Sequence, residues 1–270
     1  MDEDAATPAT YVLAGLWVSI YVAMLAVQGS FETRVGLLSF GRIHQSTAHL
    51  FGDFTAMEVS SGQVWRTVTA TMIHFSLAHL LINLIGLWNL GRIIESWYGS
   101  AQFLAVYVLI GFLGNMAAAA ARILLHTKLN VECAGGSSIL FGFVGLIAVV
   151  GWRSKTRFGD YVRHMMIGKL LIYGVLLGIA ARDVLDSYGH AGGALAGAVL
   201  GFSHRVLIRT ATTAFAKVVG LAALASLVTV GVIQGRVAFV EVRTSQKLHA
   251  EIARRGNIVR TVEEKSTTIF

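Results

Sequence analysis

A single cysteine, Cys133, makes an internal disulfide impossible, so the thiol carries no information about redox compartment. A single proline, Pro8, lies ahead of the first apolar run, which leaves every later element free to be an uninterrupted helix. Charge is scarce. Asp, Glu, Lys and Arg make up 14% of the 270 residues, against roughly 25% in an ordinary soluble domain. Hydrophobic residues make up 55%, and the mean hydropathy is +0.66. A water-soluble globule with a conventional surface is therefore close to excluded. There is no zinc-spaced Cys/His set and no low-complexity tract, and neither metal nor cofactor is expected. The charge that remains is basic, 22 Lys+Arg against 15 Asp+Glu for a net +7. In a soluble chain that balance would raise nucleic-acid binding. Here it fits basic loops held at an anionic membrane face, with the lipid bilayer as partner and no nucleic acid.

A prior of roughly 150 residues per domain suggests two domains, but apolar runs occur in almost every block and leave no linker. A spanning helix needs roughly 20 mostly apolar residues. Seven runs qualify: Tyr11–Val27, then 72–94, 102–121, 137–151, 165–181, 188–204 and 214–233. The flank of the first, MDEDAATPAT, is acidic and lacks Lys and Arg, as in an uncleaved anchor rather than a signal peptide. The stretch 29–70 holds Arg34, Arg42, Asp53, Glu58 and Arg66 and is too polar to span. Its Phe51, Phe54 and Trp65 favour an ordered loop lying at the interface.

The segment before the fifth run carries Arg153, Lys155, Arg157, Arg163 and Lys169 against Asp160 alone, which places it in the cytoplasm. Alternation then puts the N-terminus inside and both the 29–70 loop and the C-terminal tail outside. The tail's seven Lys/Arg pull against that placement. Early loops fix the orientation first, and an interfacial helix is the alternative for the seventh run. The expected organisation is an all-α membrane protein. It has a tail at 1–10, a six-helix core at 11–208, a seventh helix at 209–233 and a polar tail at 234–270.

Polar groups inside membrane helices are costly and suggest function. Three places stand out. In HFSLAHLLIN, residues 74–83, His79 and Asn83 are four apart and share a helix face. The bland alternative is hydrogen-bond glue between helices, worth about 0.6 kcal/mol. His74 and His79 would stand about 140° apart on a helix, a poor metal pair, and no HExxH pattern points to a zinc protease. In GGSSILFG, residues 135–142, a serine in the first turn is most often a cap. Yet the 137–151 run is only about 22 Å long, short of a hydrocarbon core of about 30 Å. Its start should therefore lie below the membrane surface, in a cavity reached by water. In GHAGGALAGAVLG, residues 189–201, His190 shares a stripe with Gly193, Gly197 and Gly201, spaced for close helix approach. The expected partner face on the fourth helix is Ser137, Phe141, Gly145 and Ala148.

Two thin faces, one with Ser and one with His, allow a base-activated nucleophile. His190 would take the Ser137 proton and later return it to the leaving amine. His79, Asn83 and the Ser137 N–H would donate to the oxyanion, each worth roughly 3–4 kcal/mol. Asp186, one turn before His190, reads as a cap or loop residue, which leaves a dyad.

In this order and at these membrane positions the residues resemble the rhomboid intramembrane serine proteases, over roughly 11–204. The motifs are Trp65-Arg66 in the first loop; His74, His79 and Asn83; Gly135 and Ser137 with Gly142 five residues on; and His190 with Gly193 and Gly197. The resemblance selects Ser137 over Ser138, because Gly142 fits the family's glycine five residues after the nucleophile. Ser138 stands where the family usually has Gly, and Phe141 where it often has Tyr. Trp65, Arg66, Glu95 and Gly99 match structural positions of the family. The resemblance implies cleavage of membrane-anchored transmembrane substrates near the outer face, after a small residue, in the cell membrane. The competing readings are an inactive rhomboid-like protein that binds membrane clients, and a transporter, which should show internal repeats.

Overall fold

The computed structural model describes residues 6–31, 40–154 and 186–206, with a few positions between 157 and 168 and between 218 and 252. The fifth run at 165–181, the seventh at 214–233 and the tail at 234–270 lie almost wholly outside the described residues. Among the described residues every regular element is helical. The sole extended pairing is an isolated bridge between Phe54 and Cys133.

Helix α1, Pro8–Gln28, starts on its proline, holds no charged residue and stops at Gly29. It buries Leu13, Trp17, Tyr21 and Met24 on one face and exposes Val18 and Val22 on the other. Its first turn has no side-chain cap of its own. Glu95, 2% exposed, comes across to accept the N–H groups of Ala9 and Thr10, both at 2.8 Å, and the Thr10 hydroxyl at 2.7 Å. A carboxylate there satisfies two orphan amides and complements the positive end of the helix.

The first loop is ordered where described. It carries α2, Gln45–Phe51; α3, Ala56–Ser60; α4, Arg66–Thr69; and a tight turn over Ala70–Met72. Phe51 and Phe54 are buried as expected, but Trp65 is 37% exposed. The indole of Trp65 lies under the Arg66 guanidinium instead, 4.9 Å away.

The two expected runs, 72–94 and 102–121, form two helical arms that meet at a sharp corner. Helix α5, Leu77–Gly86, passes through a π-helical stretch, Leu87–Gly91, into α6, Arg92–Leu124. The expected loop between them shrinks to Gly99, at φ 74° and ψ 162°. That conformation is essentially confined to glycine. The chain doubles back there: a Cβ on Gly91 would lie 3.4 Å from the Phe103 ring, although twelve residues of straight helix measure about 18 Å.

Helix α7 runs from Ser137 to Ser154, 18 residues against the 15 expected. At about 27 Å it nearly matches the bilayer core, so its length no longer argues that its start is sunken. Helix α8, Ser187–Phe202, packs along α7. By length and composition, Pro8–Gln28, the 48-residue Leu77–Leu124 segment and Ser137–Ser154 are suited to crossing a membrane. Exposed Ile82, Ile85, Leu109, Leu113, Leu195 and Val199 form the apolar exterior that lipid tolerates and water does not.

Candidate active site

The approach to α7 is set by two glycines. Gly135 donates its N–H to Ala70 O at 2.9 Å and adopts φ +123°, and a Cβ on it would strike His79 Nε2 at 2.7 Å. Gly136 lies on the face of Trp17, where a Cβ would fall 2.3 Å from the ring, and its carbonyl accepts the N–H groups of Ile139 and Leu140. Ser137 is thus the first residue of α7, at the positive end of the helix, with its own N–H ahead of the first helical hydrogen bond.

The approach to α8 is set by Asp186, whose carboxylate accepts the Gly189 N–H at 3.0 Å and whose carbonyl accepts that of His190 at 3.0 Å. The side chain of Asp186 thus caps α8 and is not directed at the His190 ring. Below this turn the two helices meet backbone to backbone. A Cβ on Gly193 would fall 1.9 Å from Ser138 O, and one on Gly197 would fall 1.8 Å from Gly142 O. On α7 the seam runs through Ser138, Gly142 and Gly145; Gly145 stands where expected, while Ser138 and Gly142 take the places expected for Ser137 and Phe141. The reason is steric. Phe141 is too large for the seam and stands beside it, stacked on the His190 ring at 4.4 Å and 13°.

This packing brings His190 Nε2 to 2.8 Å from Ser137 Oγ. The neighbouring hydroxyl, Ser138 Oγ, is buried and has no hydrogen-bond partner. A small cleft is lined by Ala134, Gly135, Ser137, Ser138, Gly189 and His190. His79 Nδ1 accepts the Phe75 N–H at 3.4 Å, so the proton of the neutral ring sits on Nε2, the nitrogen that faces Gly135. Asn83, buried one turn on, donates its amide to the His79 carbonyl at 2.9 Å, and no hydrogen bond joins it to Ser137. His74 lies ahead of α5 rather than on it, so the helical angle expected between it and His79 does not apply. Their rings meet edge to face at 5.1 Å.

Arg66 holds the first loop together. Its Nη1 donates to the carbonyls of Asp53 (2.8 Å) and His49 (3.1 Å), and its Nε to Gln63 Oε1 (2.8 Å). Asp53 is fully buried, with its Oδ1 3.0 Å from His49 Nδ1. Burial first, and the nearby Glu132 carboxylate second, push its carboxyl up to about 7 against the opposing pull of His49 and Arg66.

Sequence reasoning passed over Trp17, Asp53 and Arg122. Trp17 looks like any core aromatic until Gly136 is found against it. Arg122 had a readable signal, being the one charged residue between Ser100 and Leu125, and an isolated charge in a membrane run suggests function.

The Rhomboid domain family model matches residues 61–207. The chain is 26% identical to the rhomboid protease GluP of Bacillus subtilis (strain 168) over 188 residues, 70% of this chain and 33% of that protein. It is 28% identical to RHOMBOID-like protein 7 of Arabidopsis thaliana over 182 residues, 66% of this chain and 50% of the relative. It is 31% identical to Rhomboid-like protease 3 of Toxoplasma gondii over 162 residues, 58% of each. The chain therefore spans between a third and three-fifths of the length of these relatives. With the family match covering more than half of the sequence, and with apolar helices of spanning length, the chain belongs to the rhomboid family of multi-pass integral membrane proteins.

Proposed function

We propose that the chain is an intramembrane serine endopeptidase that cuts transmembrane segments of membrane-anchored substrates with a Ser137–His190 dyad. The observation that carries this reading is the 2.8 Å contact between His190 Nε2 and Ser137 Oγ at the mouth of two close-packed helices. With the imidazole proton on Nδ1, Nε2 accepts the serine proton as Oγ attacks the scissile carbonyl carbon. The oxyanion forms beside the first turn of α7, where the Ser137 N–H and the Nε2–H of His79 are available donors; Asn83 would join them by turning its amide away from its own helix. His190 then hands its proton to the leaving amine as the C–N bond breaks. A water, deprotonated by the same nitrogen, releases the acyl group and restores the hydroxyl. Phe141, stacked on the imidazole, limits its rotation. Gly135, Gly142, Gly193 and Gly197 act by letting backbones approach; Trp65, Arg66 and Glu95 act by bracing.

A substrate helix hides its peptide bonds in i to i−4 hydrogen bonds, so it must unwind locally, and helix-breaking residues near the cut should promote cleavage. We place the activity in the cell membrane, in a six-helix core at 11–208 followed by a seventh helix at 209–233. The test is incubation of the purified protein with tagged transmembrane substrates and sequencing of the cut ends. Ser137→Ala and His190→Ala should each abolish cleavage while Ser138→Ala retains it, and a fluorophosphonate should label Ser137. The reverse result for the two serines overturns the nucleophile assignment, and an unreactive Ser137 in folded protein favours the client-binding alternative.

A further inference from the structure

We infer that Arg122 is a positioning residue for the dyad: its buried guanidinium ties the segment that delivers Ser137 to the helix start that delivers His190. This rests on the Ser137–His190 reading of the site. Arg122 sits in the last turn of α6 and is 2% exposed. Its Nη2 donates to Asp186 Oδ1 at 2.8 Å, its Nη1 donates to Cys133 Sγ, and its Cζ lies 5.8 Å from the Tyr188 ring centroid. Each contact leads to a reacting group within a few residues. Asp186 caps the turn that ends in His190 and bonds its backbone N–H. Tyr188 lies in that same turn. Cys133 is held by paired backbone bonds to Phe54, at 3.1 and 2.8 Å, and runs through Ala134 into Gly135, Gly136 and Ser137.

The charge on Arg122 needs an answer, because a buried unpaired cation is expensive. Burial pushes the Cys133 thiol up to about 12, so it stays neutral, donates its S–H to the Val131 carbonyl at 3.4 Å and offers Arg122 a weak acceptor without charge. Among the described residues Asp186 is the carboxylate in contact with Arg122. The pair therefore locks α6 to the first turn of α8, while the thiol contact locks the same guanidinium to the loop ahead of α7. Ser137 and His190 come from segments 53 residues apart, and their 2.8 Å separation has no covalent guarantee. A rigid planar fork with five donors suits this three-way joint in a way a lysine ammonium does not.

Initial rates on a tagged transmembrane substrate, over a range of substrate concentrations in vesicles, test the inference with the full chain. Arg122→Gln and Asp186→Asn should each lower kcat about a hundredfold, as a misplacement of about 1 Å does. KM should stay near wild type, and fluorophosphonate labelling of Ser137 should slow in parallel. Arg122→Lys, which keeps the charge but not the fork, should recover part of the lost kcat. Should the charge variants fail to fold, Cys133→Ala decides: it keeps the ion pair and frees only the nucleophile's end, and should lower kcat about tenfold at unchanged Tm. Wild-type kcat in that variant, or in folded Arg122→Gln, overturns the positioning role and leaves the protease reading intact. A wild-type protein that cuts nothing and takes up no fluorophosphonate overturns both.

Discussion

On one side of Ser137 stands the seam between α7 and α8, and on the other the joint between α1 and α6; the two are held by opposite means. The seam is backbone against backbone, with Gly193 on the Ser138 carbonyl and Gly197 on that of Gly142. The joint is made by side chains: Glu95 on the amides of α1, and the Trp17 indole donating to the Tyr107 hydroxyl at 3.1 Å. A side-chain joint relaxes when one member changes, because rotamers and neighbours shift. A glycine seam has no rotamer to give, so an added methyl group moves a helix. The distance between nucleophile and base is thus assigned to the part of the molecule least able to adjust, while the surrounding scaffold remains tolerant.

The sharpest way to break this contrast is Gly197→Leu. A Cβ there would stand 1.8 Å from Gly142 O, so the helices must part, and activity should fall by more than about a hundredfold. The same substrate assay and a Tm measured in detergent check both sides of the claim. If the variant is active and as stable as wild type, the seam does not set the register. Glu95→Ala comes next. It leaves the Ala9 and Thr10 amides of α1 unpaired, each at about 1–3 kcal/mol, and should lower Tm clearly while activity at low temperature falls less than for Gly197→Leu. Trp17→Phe removes one hydrogen bond from the joint and part of a fully buried ring against Gly136, and should cost about 2 kcal/mol, read as a shift in Tm with kcat falling less than for Gly197→Leu.

The last effect is electrostatic and shows only as a pH dependence. Asp53 binds its proton more tightly folded, near 7, than unfolded, near 3.8. Stability from this group is full below the unfolded value and is lost as pH rises through about 7. Tm measured from pH 4 to 8 should carry a downward slope that Asp53→Asn flattens, and an equal slope in both proteins would remove Asp53 as its source.

The sequence made the spanning runs legible, because apolar length is a coarse signal that lipid enforces. It also made the small-residue stripe on α8 legible, because glycines four apart have few other uses in a membrane. The face of α7 was legible only in part: Gly145 lies at the seam, but the bulk of Phe141 turns Ser137 to the rim and leaves Ser138 and Gly142 at the contact, which spacing alone does not reveal. The break itself was legible as the gap between the runs 72–94 and 102–121, but not that the reversal rests on Gly99 alone, because the residues around it stay helical. Arg122 was visible as an isolated charge but its role was not, because an arginine near the end of an apolar run ordinarily reaches for the headgroups, and its inward turn depends on Asp186, 64 residues away in the chain.

The reversal at Gly99 leaves no slack between the rod that bears His79 and the rod that ends in Arg122. Twisting either one about its long axis must torque the other, since their shared hinge is a lone residue with no slack to absorb the rotation. Splicing a few extra residues into that corner would uncouple the two rods without altering any side chain near the cleft.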